Sequence, residues 1–255
     1  MAAGDHGDFM KVIGILQARI DSSRLPNKVV LPLHRDAPLI AIQSRRLFAS
    51  GIEWWLATTT QKGDDLTSTW GEYLGFKVFR GSENDVLSRF QEIQKLTSAD
   101  WIVRATGDDP LMNSEMTLKL ISAAASASEF VDLISDNPQN RQFPLGFCPE
   151  IVRGKSLLKI NSLINPSENY HRVHVTSFFR DKSSTALVVP ELPNRAKWRW
   201  TVDTNIDLTM MSQLFGRIGN DWKDQKYADT VQILDLYPEI YNLNIEVKQK
   251  DIKEG

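Results

Sequence analysis

Between residues 11 and 125 the chain alternates short apolar runs with stretches of helical spacing, joined by short connections. That alternation restricts it to an α/β architecture with a mainly parallel sheet. Lys11–Gln17 reads as a buried strand. Pro38–Ser50 carries Leu39, Ile42, Leu47 and Phe48 at helical intervals, with Gly51 as its stop. Glu53–Thr60 reads as a second strand. Asp64 or Asp65 opens a helix that ends at Leu74 before Gly75. Phe76–Phe79 is a short third strand, Asn84 or Asp85 caps a helix to about Leu96, and Asp100–Ala105 is a fourth strand.

The second half is less regular. Helices are expected over Asn113–Ala125, Lys155–Leu163, Glu168–Arg180 and Thr230–Leu236, with extended segments at Phe130–Ser135 and Glu150–Arg153. Asp136–Gly146 is rich in turn formers. Trp198–Asp203 alternates bulky and polar residues as a half-buried strand does, and Thr204 or Asn205 caps the helix that follows. No linker splits the chain. The expectation is one domain over 11–247, with a first half to about 125 and a second from about 126, a disordered leader at 1–10 and a frayed tail at 248–255.

Lys and Arg number 30 against 32 Asp and Glu, a net charge of −2, so no overall field draws the chain to nucleic acid or an anionic membrane. Phosphate binding, if present, has to be local. No apolar run is long enough to span a bilayer, and no secretory signal precedes the first strand. The single Cys148 excludes an internal disulfide and fits a reducing cytoplasm, where the chain is expected to reside. Apolar residues of the second half could form a homodimer face.

In an open parallel sheet, ligands collect beyond the carboxyl ends of the strands. The loop after the first strand carries Arg19, Ser22, Ser23, Arg24 and Lys28, stiffened by Pro26. Forked guanidinium donors, a point charge and hydroxyls together form a receptor for polyphosphate. A plain solvated basic loop is the alternative. Two more loops reach the same edge, Arg80–Asp85 and Gly107–Pro110. Mg²⁺ needs only one or two protein carboxylates beside phosphate and water, and Asp108 with Asp203 can supply that pair, with Asp109 a third candidate. Each has a plainer role, since Asp108 and Asp109 suit a Gly-Asp-Asp-Pro turn and Asp203 suits a helix cap. His171 and His174 share a helix face without a third ligand, and the Trp pairs read as packing. Cys148 carries no mark of a nucleophile, and neither a Walker loop nor a dinucleotide fingerprint is present.

Gln17-Ala-Arg-Ile-Asp-Ser-Ser-Arg-Leu-Pro-Asn-Lys28, Ala57–Thr60, Val78–Leu87, Thr106–Leu111 and Trp200–Thr204 occur in an order that resembles the SpsF-type spore-coat polysaccharide cytidylyltransferases, relatives of CMP-sugar synthetases. The resemblance implies a nucleotide-diphospho-sugar transferase (GT-A-like) fold, a three-layer α/β/α sandwich on a mainly parallel mixed sheet. It implies a nucleotidyltransferase that takes CTP and a small acidic sugar or sugar phosphate, with Mg²⁺ on Asp108 and Asp203. Arg19, Ser23, Arg24 and Lys28 would hold the triphosphate; Gln17, Ala18, Ser22, Thr58, Arg80, Ser82, Asp85, Thr106 and Gly107 would line the nucleotide. Arg19, Lys28 and Asp108 would act in catalysis. Pro144, Gly146, Glu150, Arg172 and His174 would face the acceptor. Asn27 stands where the family usually has Gly, while Leu145, Cys148 and Val173 replace acids. Rivals are a glycosyltransferase of the same fold and a nucleotide-binding homologue without turnover.

Overall fold

A computed structural model of the chain describes residues 10–136, 141–182, 185–187 and 194–251. The strands are β1 (Val12–Gln17), β2 (Pro32–His34), β3 (Ala37–Pro38), β4 (Glu53–Thr59), β5 (Lys77–Gly81), β6 (Trp101–Thr106), β7 (Leu133–Ser135), β8 (Glu150–Arg153) and β9 (Thr185–Leu187). The helices are α1 (Leu39–Phe48), α2 (Asp65–Leu74), α3 (Val86–Thr97), α4 (Ser114–Ala125), α5 (Gly154–Lys159), α6 (Tyr170–Val173), α7 (Ser177–Lys182), α8 (Asn205–Ile218), α9 (Tyr227–Leu236) and α10 (Pro238–Asn242).

A 7-stranded sheet runs β5-β4-β1-β6-β8-β7-β9, and β2 pairs with β3 in a separate hairpin. Among the described strands of the sheet β8 alone runs against its neighbours; the pairs β5–β4, β4–β1, β1–β6 and β7–β9 are parallel. The carboxyl ends of β1, β4, β5 and β6 therefore share one edge. The order reverses between β1 and β6, which opens the crevice where such sheets take ligands.

Helices α1, α2 and α4 cover one face through Ile40, Leu47, Trp70, Leu74 and Leu120. On the other face lie α3, α5 and α7 through Phe90, Ile93, Leu157, Phe178 and Phe179. A third apolar cluster joins α8 and α9 to the hairpin, α1 and the aromatic rings of Phe143, Phe147 and Trp200. Gly14 of β1 lies under the indole of Trp54, where a Cβ would overlap the ring. Such overpacking costs about 1–3 kcal/mol.

Local signals act where the sequence placed them. Gly75 leaves α2 at φ 98, Asp85 caps α3 by accepting from Ser88 N, and Asn113 caps α4. Thr204 and Asp207 form a capping box at α8.

Two expectations need correction. The helix read across Glu168–Arg180 breaks into α6 and α7. Val173, Val175 and Thr176 form a β-branched run that disfavours helix, and Thr176 turns its hydroxyl to Glu150. Trp198–Asp203 is extended but joins no sheet, and its side chains are buried rather than half-buried. It bridges to Leu145 and donates from Val202 N to the Asp108 carbonyl at 2.7 Å. Loop backbone replaces a strand partner because the segment lies in a crevice between the Asp108 turn and α8. Residues 1–9, 137–140 and 252–255 of the expected leader, turn and tail lie outside the described residues.

Candidate active site

The basic loop leaves β1 and is pinned at both ends. Ile20 N donates to the Asp64 carboxylate at 2.6 Å, Asn27 N donates to the Ile20 carbonyl, and Leu25 and Val29 are buried. Asn27 adopts φ 62, the left-handed conformation in which Asn is the best substitute for Gly. The departure from the usual Gly thus keeps the loop's backbone turn. The 3-10 turn Lys28–Val30 starts there and aims Lys28 inward.

From the end of β6, Gly107 N bonds to the Gln17 carbonyl at 2.8 Å, and a Cβ at Gly107 would meet Ala18. That contact sets the following Asp108 beside the basic loop. Asp203 arrives from the extended segment, tied to the same turn through Val202. The Lys28 ammonium lies 2.7 Å from Asp108 Oδ2 and 2.8 Å from Asp203 Oδ1. Arg24 meets the other Asp203 oxygen at 2.8 Å, and Arg199 meets it at 2.6 Å. Arg199 also pairs with Asp207 at 2.9 Å, so Arg24, Lys28 and Arg199 face Asp108, Asp203 and Asp207 in charge balance.

Burial pushes the Asp108 carboxyl up, but the Lys28 charge and hydrogen bonds outweigh it and hold the group below the usual carboxylate range. For Lys28, burial acts downward and the two carboxylates act upward more strongly, so its pKa lies above the ordinary lysine value. Asp109 differs. Burial first and the Asp108 charge second push it well above the usual range. Its side chain bonds to Thr106 and packs against Gly146 and Thr201, which makes it a strut between three segments.

The remaining expected nucleotide residues spread along the same edge. Arg19 stands half-exposed, 3.6 Å from Glu83. Arg80 pairs with Asp65 at 2.7 Å and donates to the Thr59 and Gln61 carbonyls. Ser82 Oγ accepts from Asp85 N, and Asp85, besides capping α3, meets Arg172 at 2.9 Å. Thr58 is fully buried within β4. Ser22 is half-buried, and the exposed Ser23 accepts at its Oγ from Lys250 at 3.3 Å.

On the expected acceptor side, Glu150 is buried with Arg104 at 2.7 Å, Arg180 at 3.4 Å and the Thr176 hydroxyl. Arg104 also donates to the Gln17 side chain at 3.3 Å, which links Glu150 to the nucleotide edge. Pro144 is buried, Gly146 takes φ 87 beside Asp109, and His174 is half-buried in the break between α6 and α7. His171 is fully buried against Ser177 at 2.8 Å, a packing role. Burial raises the Cys148 thiol far above its ordinary value, so it is no nucleophile at neutral pH.

Sequence reasoning did not single out Arg199, Asp207, Asn244, Arg104 or Arg180. The one visible signal was an Arg between two Trp residues, at a position where an unpaired charge could not be buried.

The sequence profile of the cytidylyltransferase family matches residues 13–252. The chain belongs to this family. Its members are nucleotidyltransferases, and the fold described above is theirs. A Methanocaldococcus jannaschii protein is 34% identical, with 96% of this chain and 99% of that one covered. The spore coat polysaccharide biosynthesis protein SpsF of Bacillus subtilis is 30% identical over 89% of this chain and 95% of its own. Among solved structures, a cytidylyltransferase from Leptospira borgpetersenii superposes with a TM-score of 0.85 at 27% identity, covering 95% of this chain and 99% of that one.

The donor set suits a hard divalent cation. Two carboxylates converge on one point, and a cationic group, the Lys28 ammonium, stands between them. Among the described residues no cluster of three or more His, Cys, Asp and Glu side chains forms a closed metal cage. Such a cation would take its remaining ligands from phosphate and water, as Mg²⁺ commonly does. Among the described residues no helix is long and apolar enough to cross a membrane.

Proposed function

We propose that the protein transfers CMP from CTP to an oxygen of a small acidic sugar or sugar phosphate, with release of pyrophosphate, in the making of a polysaccharide or other glycoconjugate. The observation that carries this reading is the meeting of Lys28 and Arg24 with Asp108 and Asp203 at the switch point of the sheet. Family membership supplies the cytidylyl group, and the name of the Bacillus subtilis relative supports the polysaccharide product.

The acceptor oxygen attacks the α-phosphorus in line, the bond to the bridging oxygen breaks, and its electron pair leaves on pyrophosphate. The protein forms no covalent bond and works by position and charge. Asp108 and Asp203 would hold Mg²⁺, which when bound would polarise the phosphate oxygens. Lys28, on a flexible stem, turns from the carboxylates to the phosphates, while Arg24 and Arg19 hold the leaving pyrophosphate. Gln17, Ala18, Thr106 and Gly107 frame the floor of the crevice; Arg80, Ser82 and Asp85 stand on the side of base and ribose. Glu150, Arg172 and His174 belong to the acceptor side, with Leu145 and Cys148 making that side less acidic than in relatives.

The test is pyrophosphate release with each of the four nucleotides, Mg²⁺, and a panel of acidic sugars, sugar phosphates and phosphonates. Release with CTP and one acceptor class supports the reading. Release of a nucleoside diphosphate from a nucleotide sugar would replace it with glycosyl transfer, and CTP binding without any product would make the protein a binder.

A further inference from the structure

The chain end after α10 is docked onto the basic loop. Asn244 is fully buried and donates to the Arg199 carbonyl at 3.0 Å and to Asp207 at 2.9 Å. Val247 N closes a turn on the Asn244 carbonyl. Beyond it, Gln249 accepts from the Arg199 guanidinium at 2.6 Å, the Lys248 carbonyl accepts from Arg24 at 3.5 Å, and the Lys250 ammonium reaches Ser23 Oγ at 3.3 Å. Residues 248 and 249 of the tail expected to fray are thus held by Arg24 and Arg199, which also hold Asp203, and Lys250 is held by Ser23.

Resting on the function proposed above, we infer that this segment is a strap completing the phosphate site, and that Lys250 is a phosphate-binding residue. The charge pattern points there. Arg19, Arg24 and Lys28 each have a carboxylate partner, Glu83, Asp203, and Asp108 with Asp203. Lys250 meets a neutral hydroxyl instead, and no described carboxylate pairs with it. A phosphate oxygen accepting from Ser23 stands within contact of this ammonium, and an exposed lysine offers it a full charge at small cost in desolvation. The loop and the strap lie 227 residues apart in sequence, so only the fold unites them. Because Ser23 belongs to the triphosphate loop, Lys250 reads the β- and γ-phosphates and not the nucleoside monophosphate.

Calorimetry on the full chain tests this with CTP, CMP and inorganic tripolyphosphate as probes. Lys250→Gln should weaken CTP and tripolyphosphate about 5- to 10-fold, within the range of one net hydrogen bond, and leave CMP unchanged. Lys250→Arg should retain affinity. Lys155→Gln, an exposed lysine on α5, should behave as wild type and so remove net charge as the cause. An unchanged melting temperature excludes loss of fold. Equal affinity for CTP and tripolyphosphate in wild type and Lys250→Gln overturns the strap alone. A wild type that binds tripolyphosphate but not CTP overturns the cytidylyl reading and leaves the strap to be judged on tripolyphosphate. Failure to bind either probe overturns both.

Discussion

Lys28 and Asp203 stand 175 residues apart in sequence and meet at 2.8 Å in the fold. Their ion pair marks the place where the turn after β6, the basic loop and the Trp-rich segment converge. A buried pair of this kind adds little net stability against an apolar alternative, because desolvation offsets the attraction. Its value lies in keeping two carboxylates and a cation assembled at the switch point of the sheet.

Asp108→Ala and Asp203→Ala should each lower turnover about 100- to 1,000-fold, the range seen when one electrostatic partner of a transition state is removed. Pyrophosphate release together with circular dichroism checks both activity and fold. A folded Asp108→Ala enzyme with full turnover would remove the carboxylate pair from the mechanism.

Metal should enter with the nucleotide rather than ahead of it. Arg24, Lys28 and Arg199 already balance Asp108, Asp203 and Asp207, so a divalent ion alone would add uncompensated charge. Lys28→Met leaves the two carboxylates in excess. Electron paramagnetic resonance should then show Mn²⁺ bound to the Lys28→Met protein without nucleotide, and little bound to wild type. Equal Mn²⁺ binding by the two would contradict the place assigned to the ammonium.

Arg199→Ala should destabilise the fold by about 3–5 kcal/mol, since it strands Asp203 and the fully buried Asp207. Urea denaturation measures this directly. A change below 1 kcal/mol would mean that solvent or Asn244 replaces the guanidinium.

Acid should loosen the packing around Glu150. Burial raises the Glu150 pKa, and the Arg180 and Arg104 charges lower it further, so the net value lies below the ordinary 4.5. A depressed folded pKa stabilises the protein fully above the unfolded value and loses that contribution as pH falls through the folded one. Urea midpoints of wild type should therefore fall on acidification below about pH 4.5 more steeply than those of Glu150→Gln. Parallel curves would show that Glu150 carries no such linkage.

Most of the sheet and its helices could be read in advance because strand and helix periodicity is local. Val12–Gln17, Asp65–Leu74 and the caps at Asp85 and Thr204 needed no distant partner. Where side chains answered to distant groups, the reading failed. Thr176 left a helix for Glu150, and Trp198–Asp203 took its backbone partners from Leu145 and the Asp108 turn.

The sequence by itself determined the α/β alternation, the basic loop, and Asp108 and Asp203 as candidate carboxylates, since spacing and residue chemistry are carried by each short stretch. Only the tertiary structure decided that Lys28 stands between those carboxylates, that Arg199 lies buried beneath them and that the chain end returns to Ser23. Charges separated along the chain acquire their partners and their burial when the core closes, and until then nothing in their neighbours specifies which of them will meet.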